Sequence, residues 1–138
     1  MSVAVTVEWS GNLKFTANNK HDVSTIMDAT SVGDRRAGIS PMELLLMALG
    51  GCTGIDVVTI LQKQRQTLTG LTLKISGSRR AEPPKYYEKI HVEYILKGSN
   101  LDEKKVQRAI ELSEEKYCSV SAMLKSKAKI TSSHRIEQ

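Results

Sequence analysis

Residues 40–56 read SPMELLLMALGGCTGID, and this stretch decides the fold because it predicts the start of a long apolar helix. Ser40 stands at the N-cap position and Pro41 at the first helical position. Glu43 follows the cap by three residues, which completes a capping box with a favoured proline inside it. The sequence therefore predicts a helix from Pro41 to about Gln66.

This predicted helix has no charged residue between Leu44 and Ile55, so each of its faces is apolar in that part. A helix that is apolar all round must be covered all round, and one small sheet covers only one side of it. We therefore infer that a second copy of the chain covers part of the remainder, as a homodimer.

The segments around the central helix alternate in apolar and polar residues, which predicts strands. Strands are predicted at residues 3–9, 13–17 and 23–27 before the helix, and at 71–78, 89–96 and 128–136 after it. Residues 28–39 are predicted as a loop. Asn100 is predicted to cap a second helix, with Glu103 at its capping-box position. The predicted buried face of this helix consists of Leu101, Val106, Ala109, Ile110 and Tyr117. A short third helix is predicted over 120–126. The order β-β-β-α-β-β-α-α-β predicts one α+β domain over residues 1–138.

The composition excludes several classes of protein. Charged residues make up 25% of the 138, apolar residues 40%, and the net charge is +5, which is ordinary for a globular domain. The basic residues form no dense stripe and aromatic residues are few, so no nucleic-acid partner is predicted. The first ten residues lack the pattern of a secretory signal, and no segment is expected to span a membrane. The sequence predicts a cytoplasmic protein.

The two cysteines, Cys52 and Cys118, lie far apart in the sequence. No CxxC motif and no neighbouring histidine accompanies either one, so no zinc site, other metal site or cofactor is predicted. In the cytoplasm such residues are more often thiols than a structural disulfide.

Cys52 lies among Gly50, Gly51 and Gly54, each of which costs about 1 kcal/mol in a helix interior relative to alanine. The glycines leave the sulfur reachable, although tight packing against a neighbouring element would explain them equally. Asp56 follows one turn later on the same face and opposes ionisation of the thiol. Cys52 therefore needs a cation from elsewhere.

The nearest cations in sequence are Arg35 and Arg36, followed by Arg79 and Arg80, and each could equally be a solvated surface charge. Cys118 stands where one helix ends and a short one begins. The amides of that second helix favour a thiolate there, so on this ground alone Cys118 is the better nucleophile. The alternative is a buried residue at a joint between two helices.

Two motifs, SPMELLLMALGGCTGID and EKYCSVSAMLK, together resemble the OsmC/Ohr family of osmotically inducible and organic hydroperoxide resistance proteins. The resemblance covers essentially the whole chain. It implies an α+β fold in which two chains intertwine as a homodimer, with long central helices between sheets and active sites at the dimer interface.

The resemblance also implies thiol peroxidase chemistry and a role in oxidative stress. Cys52 would attack an organic hydroperoxide as a thiolate and become a sulfenic acid, and Cys118 would condense with it to a disulfide. A dithiol would then reduce the disulfide. This assignment is the opposite of the one that helix-end amides alone favour.

The sequence departs from the peroxidase members at Met42, where they carry a catalytic glutamate partnered with an arginine of the preceding loop. Glu43, Arg35 and Arg36 are the remaining candidates for stabilising a thiolate. Because of Met42, a second function stays open: a non-catalytic OsmC-like protein that binds an apolar small molecule at the dimer-interface pocket. A structural dimer with inert thiols is a third possibility.

Overall fold

The computed structural model describes residues 1–33 and 35–137, and the side chains of Arg35 and Arg36 lie outside the described part. The chain forms two compact units, Met1–Leu45 and Leu46–Gln138. The elements follow the predicted α+β order, with two additional short strands before the long helix.

The first unit contains a three-stranded antiparallel sheet in the order β1-β2-β3. Its strands are β1 (Thr6–Trp9), β2 (Lys14–Asn18) and β3 (Ser24–Asp28). The three predicted strands are confirmed. The predicted loop over residues 28–39 contains a short antiparallel hairpin, β4 (Ser31–Val32) and β5 (Arg35–Arg36). Strands of two residues are too short to display an alternating pattern, so periodicity does not predict them.

Apolar residues of β1 remain exposed in the single chain. The sequence predicted that Val3, Val5, Val7 and Trp9 form a half-buried face, but all of these are exposed. The alternation correctly identified a strand, whereas burial of its apolar side needs a surface that the single chain does not supply.

The long helix α1 spans Pro41–Lys63, and its predicted capping box is confirmed. The amide of Ser40 donates to Oε1 of Glu43 over 2.9 Å, and the amide of Glu43 donates to Oγ of Ser40 over 3.1 Å. The helix ends three residues before the predicted Gln66. Arg65 then adopts a left-handed backbone conformation, with φ of 57°, which ends the helical path.

By length and composition alone, α1 is apolar enough to cross a membrane, with a mean hydropathy of 2.0. Length and composition alone are weak evidence for a membrane span, because the core helix of a globular protein meets the same criteria. One face of α1 is buried in the single chain through residues at every fourth position. These are Leu49, Thr53, Val57 and Leu61. Such one-sided burial is typical of the core helix of a globular protein.

The second unit contains a three-stranded sheet in the order β6-β7-β8. Its strands are β6 (Thr67–Arg79), β7 (Tyr87–Ser99) and β8 (Lys129–Glu137). β6 and β7 are antiparallel, as the predicted hairpin requires, and β8 runs parallel to β7. Alternate residues of the central strand form the core. They are Ile90, Val92, Tyr94 and Leu96.

The parallel pairing of β7 with β8 requires a crossover, which is built from helical segments. These are α2 (Glu103–Leu112), a π-helical turn (Ser113–Tyr117) and α3 (Ser119–Leu124). The N-cap of α2 is Asp102, whose side chain accepts from the amides of Lys104 and Lys105, and not the predicted Asn100. Asn100 has a φ of 52°, a turn conformation that asparagine tolerates, and therefore lies before the cap.

The π-helical turn changes which residues face the core. Val106, Ala109 and Ile110 are buried as predicted, and Ser113 continues the same face. The next position in an α-helix would be Tyr117, which the sequence placed on that face, but Tyr117 is 51% exposed. The wider π turn adds a residue, so Cys118 takes the inward position and Tyr117 points away.

Candidate active site

The fold of the second unit brings the two cysteines together. Both are free thiols. Their sulfurs and a carboxylate oxygen of Asp56 all lie within 4.8 Å of one another. Cys52 and Asp56 are one turn apart on α1, and Cys118 comes from the joint between the π turn and α3. The site therefore joins residues that lie far apart in the sequence, which no local motif could reveal.

The glycines around Cys52 have two different environments. A Cβ on Gly50 would stand 2.5 Å from Cδ1 of Ile75, and one on Gly54 would stand 3.4 Å from Cδ1 of Leu73. These two glycines let α1 approach β6 closely. A Cβ on Gly51 would meet nothing within 4 Å. Packing between helix and sheet thus explains Gly50 and Gly54, while Gly51 lies on the open side next to Cys52.

Cys118 is buried, with 4% of its surface exposed, and its backbone is the N-cap of α3. Its Sγ accepts a hydrogen bond from the amide of Ser121 over 3.3 Å. Burial is the main cause that raises the pKa of the Cys118 thiol from 9.0 to about 11, and a hydrogen bond with Cys52 adds to it. The amides of Ser121 and Val120 lower this pKa, but by less.

This result corrects the expectation that Cys118 is the better thiolate. The helix-end amides act in the predicted direction, but the removal of the sulfur from water outweighs them. Cys52 is only partly buried. Between the two sulfurs, that of Cys52 is therefore the one that a reagent in solution reaches more easily.

Asp56 is held in place by a hydrogen bond across the site. Oγ of Ser113, in the π turn, donates to Oδ2 of Asp56 over 2.9 Å. Sequence reasoning missed Ser113 as a site residue. Its spacing of seven residues from Val106 and three from Ile110 places it on the buried face of α2, and this signal could have found it.

A second hydrogen-bonded group near Cys118 is centred on the carboxylate of Glu114 and includes Tyr94 of the central strand. The hydroxyl of Tyr94 donates to Oε1 of Glu114 over 3.0 Å, and Oγ of Ser132 donates to Oε2 of the same carboxylate over 3.2 Å. Burial and then the charge of Glu114 raise the pKa of Tyr94 above its usual value, and Cys118 contributes in the same direction. Tyr94 thus stays protonated and serves as a hydrogen-bond donor.

The other predicted site residues, Arg35, Arg36 and Glu43, belong to the first unit. Arg35 and Arg36 form the short strand β5, and their side chains lie outside the described part. Glu43 belongs to the first unit, where its carboxylate completes the capping box. The roles of these three residues in stabilising a thiolate stay predictions.

The arrangement can support two kinds of chemistry. Two thiols this close can form a disulfide once the sulfurs approach to a bonding distance of about 2.05 Å. The same two sulfurs and the Asp56 carboxylate also form a group of donors that could hold a metal ion.

Comparison with known proteins identifies the family to which the chain belongs. Residues 33–133 match the family model described as OsmC-like protein. The chain belongs to the OsmC-like family. It is 42% identical over 130 residues to protein YhfA of Escherichia coli strain K12, which covers 94% of this chain and 95% of that protein.

Solved structures of OsmC-like proteins and their relatives share the fold. A hypothetical protein from Aquifex aeolicus VF5 is 34% identical, with a TM-score of 0.83 and coverage of 100% of this chain and 99% of that chain. The organic hydroperoxide resistance protein OhrB of Bacillus subtilis is 16% identical, with a TM-score of 0.64 and 98% coverage of both chains. At 16% identity, the likeness to OhrB is a likeness of fold alone.

Proposed function

We propose that this OsmC-like protein is a cytoplasmic, homodimeric thiol peroxidase that reduces organic hydroperoxides. The observation that carries the proposal is the convergence of two free thiols from different elements, with their sulfurs within 4.8 Å. The name of the Bacillus subtilis relative, an organic hydroperoxide resistance protein, supports the choice of substrate class.

The two sulfurs have different roles in the proposed cycle. Cys52 is the more accessible, so its thiolate attacks the terminal oxygen of the hydroperoxide. The O–O bond breaks, the alcohol leaves with a proton, and Cys52 becomes a sulfenic acid. The buried thiol of Cys118 then attacks the sulfenic sulfur, water leaves, and a disulfide forms. A dithiol reductant returns both residues to thiols by exchange.

The proposed cycle uses a positive charge beside the thiolate of Cys52. Arg35 and Arg36 remain the proposed source of this charge, and Glu43 remains a proposed partner for the arginine. Met42 occupies the position of the catalytic glutamate in peroxidase members. The proposed cycle therefore depends on a carboxylate other than the one that those members use.

The test is to mix the fully reduced protein with cumene hydroperoxide and to follow oxidation of Cys52 by mass spectrometry. We expect Cys52 to react much faster than free cysteine and to end in a disulfide with Cys118. In Cys118→Ser we expect a sulfenic acid on Cys52 that dimedone traps, and in Cys52→Ser no peroxide consumption. Dihydrolipoamide should restore the reduced wild-type protein. A Cys52 that reacts no faster than free cysteine would remove the peroxidase function.

A second candidate function is the binding of an apolar small molecule without turnover. An apolar groove of about 400 Å³ begins beside Cys52 on the open side of α1. Its lining residues come from α1 and β6. They are Gly51, Gly54, Ile55, Val58, Thr59, Leu71 and Leu73. Most of this lining is aliphatic, which suits an alkyl or aromatic ligand.

Thermal-shift measurements with fatty and aromatic ligands on Cys52→Ser, which cannot form a covalent adduct at that position, would separate the two functions. An increase in Tm with ligand but no peroxide consumption by the wild-type protein would favour binding. Peroxide turnover without any change in Tm on addition of ligand would exclude the binding function.

A further inference from the structure

We propose that Cys52, Asp56 and Cys118 form a binding site for a divalent cation of the zinc class. The proposal goes beyond the peroxidase function, because it concerns a second state of the same thiols. It starts from geometry: one donor atom from each residue lies within 4.8 Å of the other two. In a tetrahedral zinc site, Zn–S bonds of about 2.3 Å and a Zn–O bond of about 2.0 Å separate neighbouring donors by about 3.5–3.8 Å. Small side-chain rotations therefore bring all three onto one ion.

The chemistry of the donors selects the metal. Thiolate sulfur is a soft ligand that favours zinc and similar ions, whereas calcium and magnesium require oxygen ligands. Two thiolates and one carboxylate leave the fourth tetrahedral position free of protein. Because Cys52 is only partly buried, solvent reaches the cluster from the side of this residue. Three protein ligands with one open position are typical of zinc sites that exchange a ligand.

Two of the three donors are already oriented by hydrogen bonds from their surroundings. The amide of Ser121 donates to Sγ of Cys118, and the hydroxyl of Ser113 donates to Oδ2 of Asp56. Bonds of this kind fix the direction of metal ligands and offset part of their negative charge. The third donor, Cys52, is set by α1, which also fixes its one-turn spacing from Asp56.

The charges of the cluster are compatible with a bound divalent cation. Once both thiols have lost their protons, two thiolates and a carboxylate place three negative charges in a partly buried volume. No ion pair joins Asp56 to a lysine, arginine or histidine among the side chains that the structure describes. A divalent cation displaces the protons of both thiols as it binds and compensates most of the resulting charge.

Metal binding and disulfide formation exclude each other, since a disulfide sulfur no longer carries the thiolate that the ion needs. A bound zinc ion therefore keeps the thiols reduced and slows attack on a hydroperoxide. This consequence rests on the proposed peroxidase function, whereas the binding itself does not.

The test uses cobalt(II) as a spectroscopic substitute for zinc on the full-length reduced protein. We expect one cobalt ion to bind per chain, with a thiolate-to-cobalt charge-transfer band in the near ultraviolet. Zinc should displace the cobalt and abolish the band. Cys52→Ser and Cys118→Ser should weaken the band and the affinity, and Asp56→Asn should lower the affinity about tenfold or more. The matched control is Glu115→Gln, an exposed carboxylate of the same π turn and outside the donor set, which should bind as the wild type does.

The absence of a charge-transfer band, or a band in Cys52→Ser that is as strong as that of the wild type, would overturn the site. An Asp56→Asn variant that binds cobalt with the affinity of the wild type would overturn it as well. Circular dichroism of each variant without metal checks that the variant is folded. If a cysteine variant does not fold, the conservative Asp56→Asn still tests the site. A separate arm measures Cys52 oxidation by cumene hydroperoxide with one equivalent of zinc and then with a chelator. We expect zinc to slow the oxidation of Cys52 and the chelator to restore its rate. If metal-free protein does not react at all, the peroxidase function fails while the metal site stands.

Discussion

Cys52 and Cys118 show how strongly the surroundings of one atom decide its chemistry. Both are thiols of similar intrinsic acidity, yet one lies partly open beside Gly51 and the other is sealed at the start of α3. Sequence reasoning identified both residues and the amides that favour a thiolate at Cys118. It could not weigh those amides against burial, because burial depends on how the crossover packs onto α1.

The raised pKa of Cys118 makes a prediction about stability at alkaline pH. The thiol titrates near pH 11 in the folded protein and near 9.0 in the unfolded chain. Below pH 9 both states hold the proton, so the stabilising contribution is fully present. As the pH rises from about 9 towards 11, the unfolded chain loses the proton first, and stability falls.

We expect the free energy of unfolding of the reduced wild-type protein to decrease more steeply between about pH 9 and about pH 11 than that of Cys118→Ala. Urea denaturation at each pH measures both. Comparison with the variant removes the contributions of lysines and tyrosines that titrate in the same range. Parallel pH profiles for the two proteins would mean that Cys118 ionises normally.

Asp56 and Ser113 show the limit of sequence analysis at this scale. Sequence analysis predicted that Asp56 lies on the same helix face as Cys52, but interpreted its charge only as opposing ionisation of the Cys52 thiol. The hydrogen bond from Ser113 links two elements that are separated by a whole hairpin, and only the folded chain brings them together.

At the scale of the element, the π turn between α2 and α3 has the largest effect on the site. An uninterrupted α-helix would carry Tyr117 inward, as the sequence predicted, and would leave Cys118 off the core face. The sequence SEEKY contains no proline or glycine to mark the change of pitch. Periodicity alone therefore predicted the helix and its buried face but not the point at which the period changes.

The hairpin of β6 and β7 is longer at both ends than its alternating pattern indicated. Glycines interrupt the pattern near the ends, and the register shifts between Leu68 and Gly70, where the ladder contains a bulge. Gly98 lies opposite this irregular part of β6. The side chains there give no regular alternation, which is why the sequence predicted only the central part of each strand.

Gly98 provides a test of this packing. A Cβ at Gly98 would stand 2.2 Å from the backbone oxygen of Thr67, which cannot move without disturbing the strand. We expect Gly98→Ala to lower the free energy of unfolding by about 1–3 kcal/mol, the usual range for overpacking. Gly70→Ala is the matched control, because its Cβ would meet Lys97 at an ordinary 3.6 Å. Urea denaturation compares the two, and equal effects would contradict the predicted clash.

At the scale of the whole molecule, apolar surface remains uncovered in the single chain. Ile55, on the open side of α1 beside the groove, is 69% exposed, and the apolar residues of β1 are also exposed. The sequence predicted this need for cover from the absence of charge on α1. The element order, the long helix and the cysteine pair were predictable, whereas the second copy inferred from the sequence as the cover stays a prediction, because contacts between two copies are not a property of one chain.

The proposed homodimer can be tested by placing a charge on the open side of α1. We expect Ile55→Glu to shift the protein from dimer to monomer in light scattering coupled to size exclusion, because a buried unpaired carboxylate opposes association. Thr72→Glu, at an exposed position of β6, is the control and should leave the dimer intact. A wild-type protein that is already monomeric, or a dimeric Ile55→Glu variant, would contradict this use of α1.

The placement of Cys118 in the crossover to the last strand has a consequence for synthesis. A chain emerging from the ribosome presents α1 and Cys52 long before the crossover and β8 exist. Cys118 lies in that crossover, so it is added to the chain well after Cys52. A chain that ends before the crossover therefore carries a single thiol. Any chemistry that needs both thiols has to wait until the crossover has been synthesised.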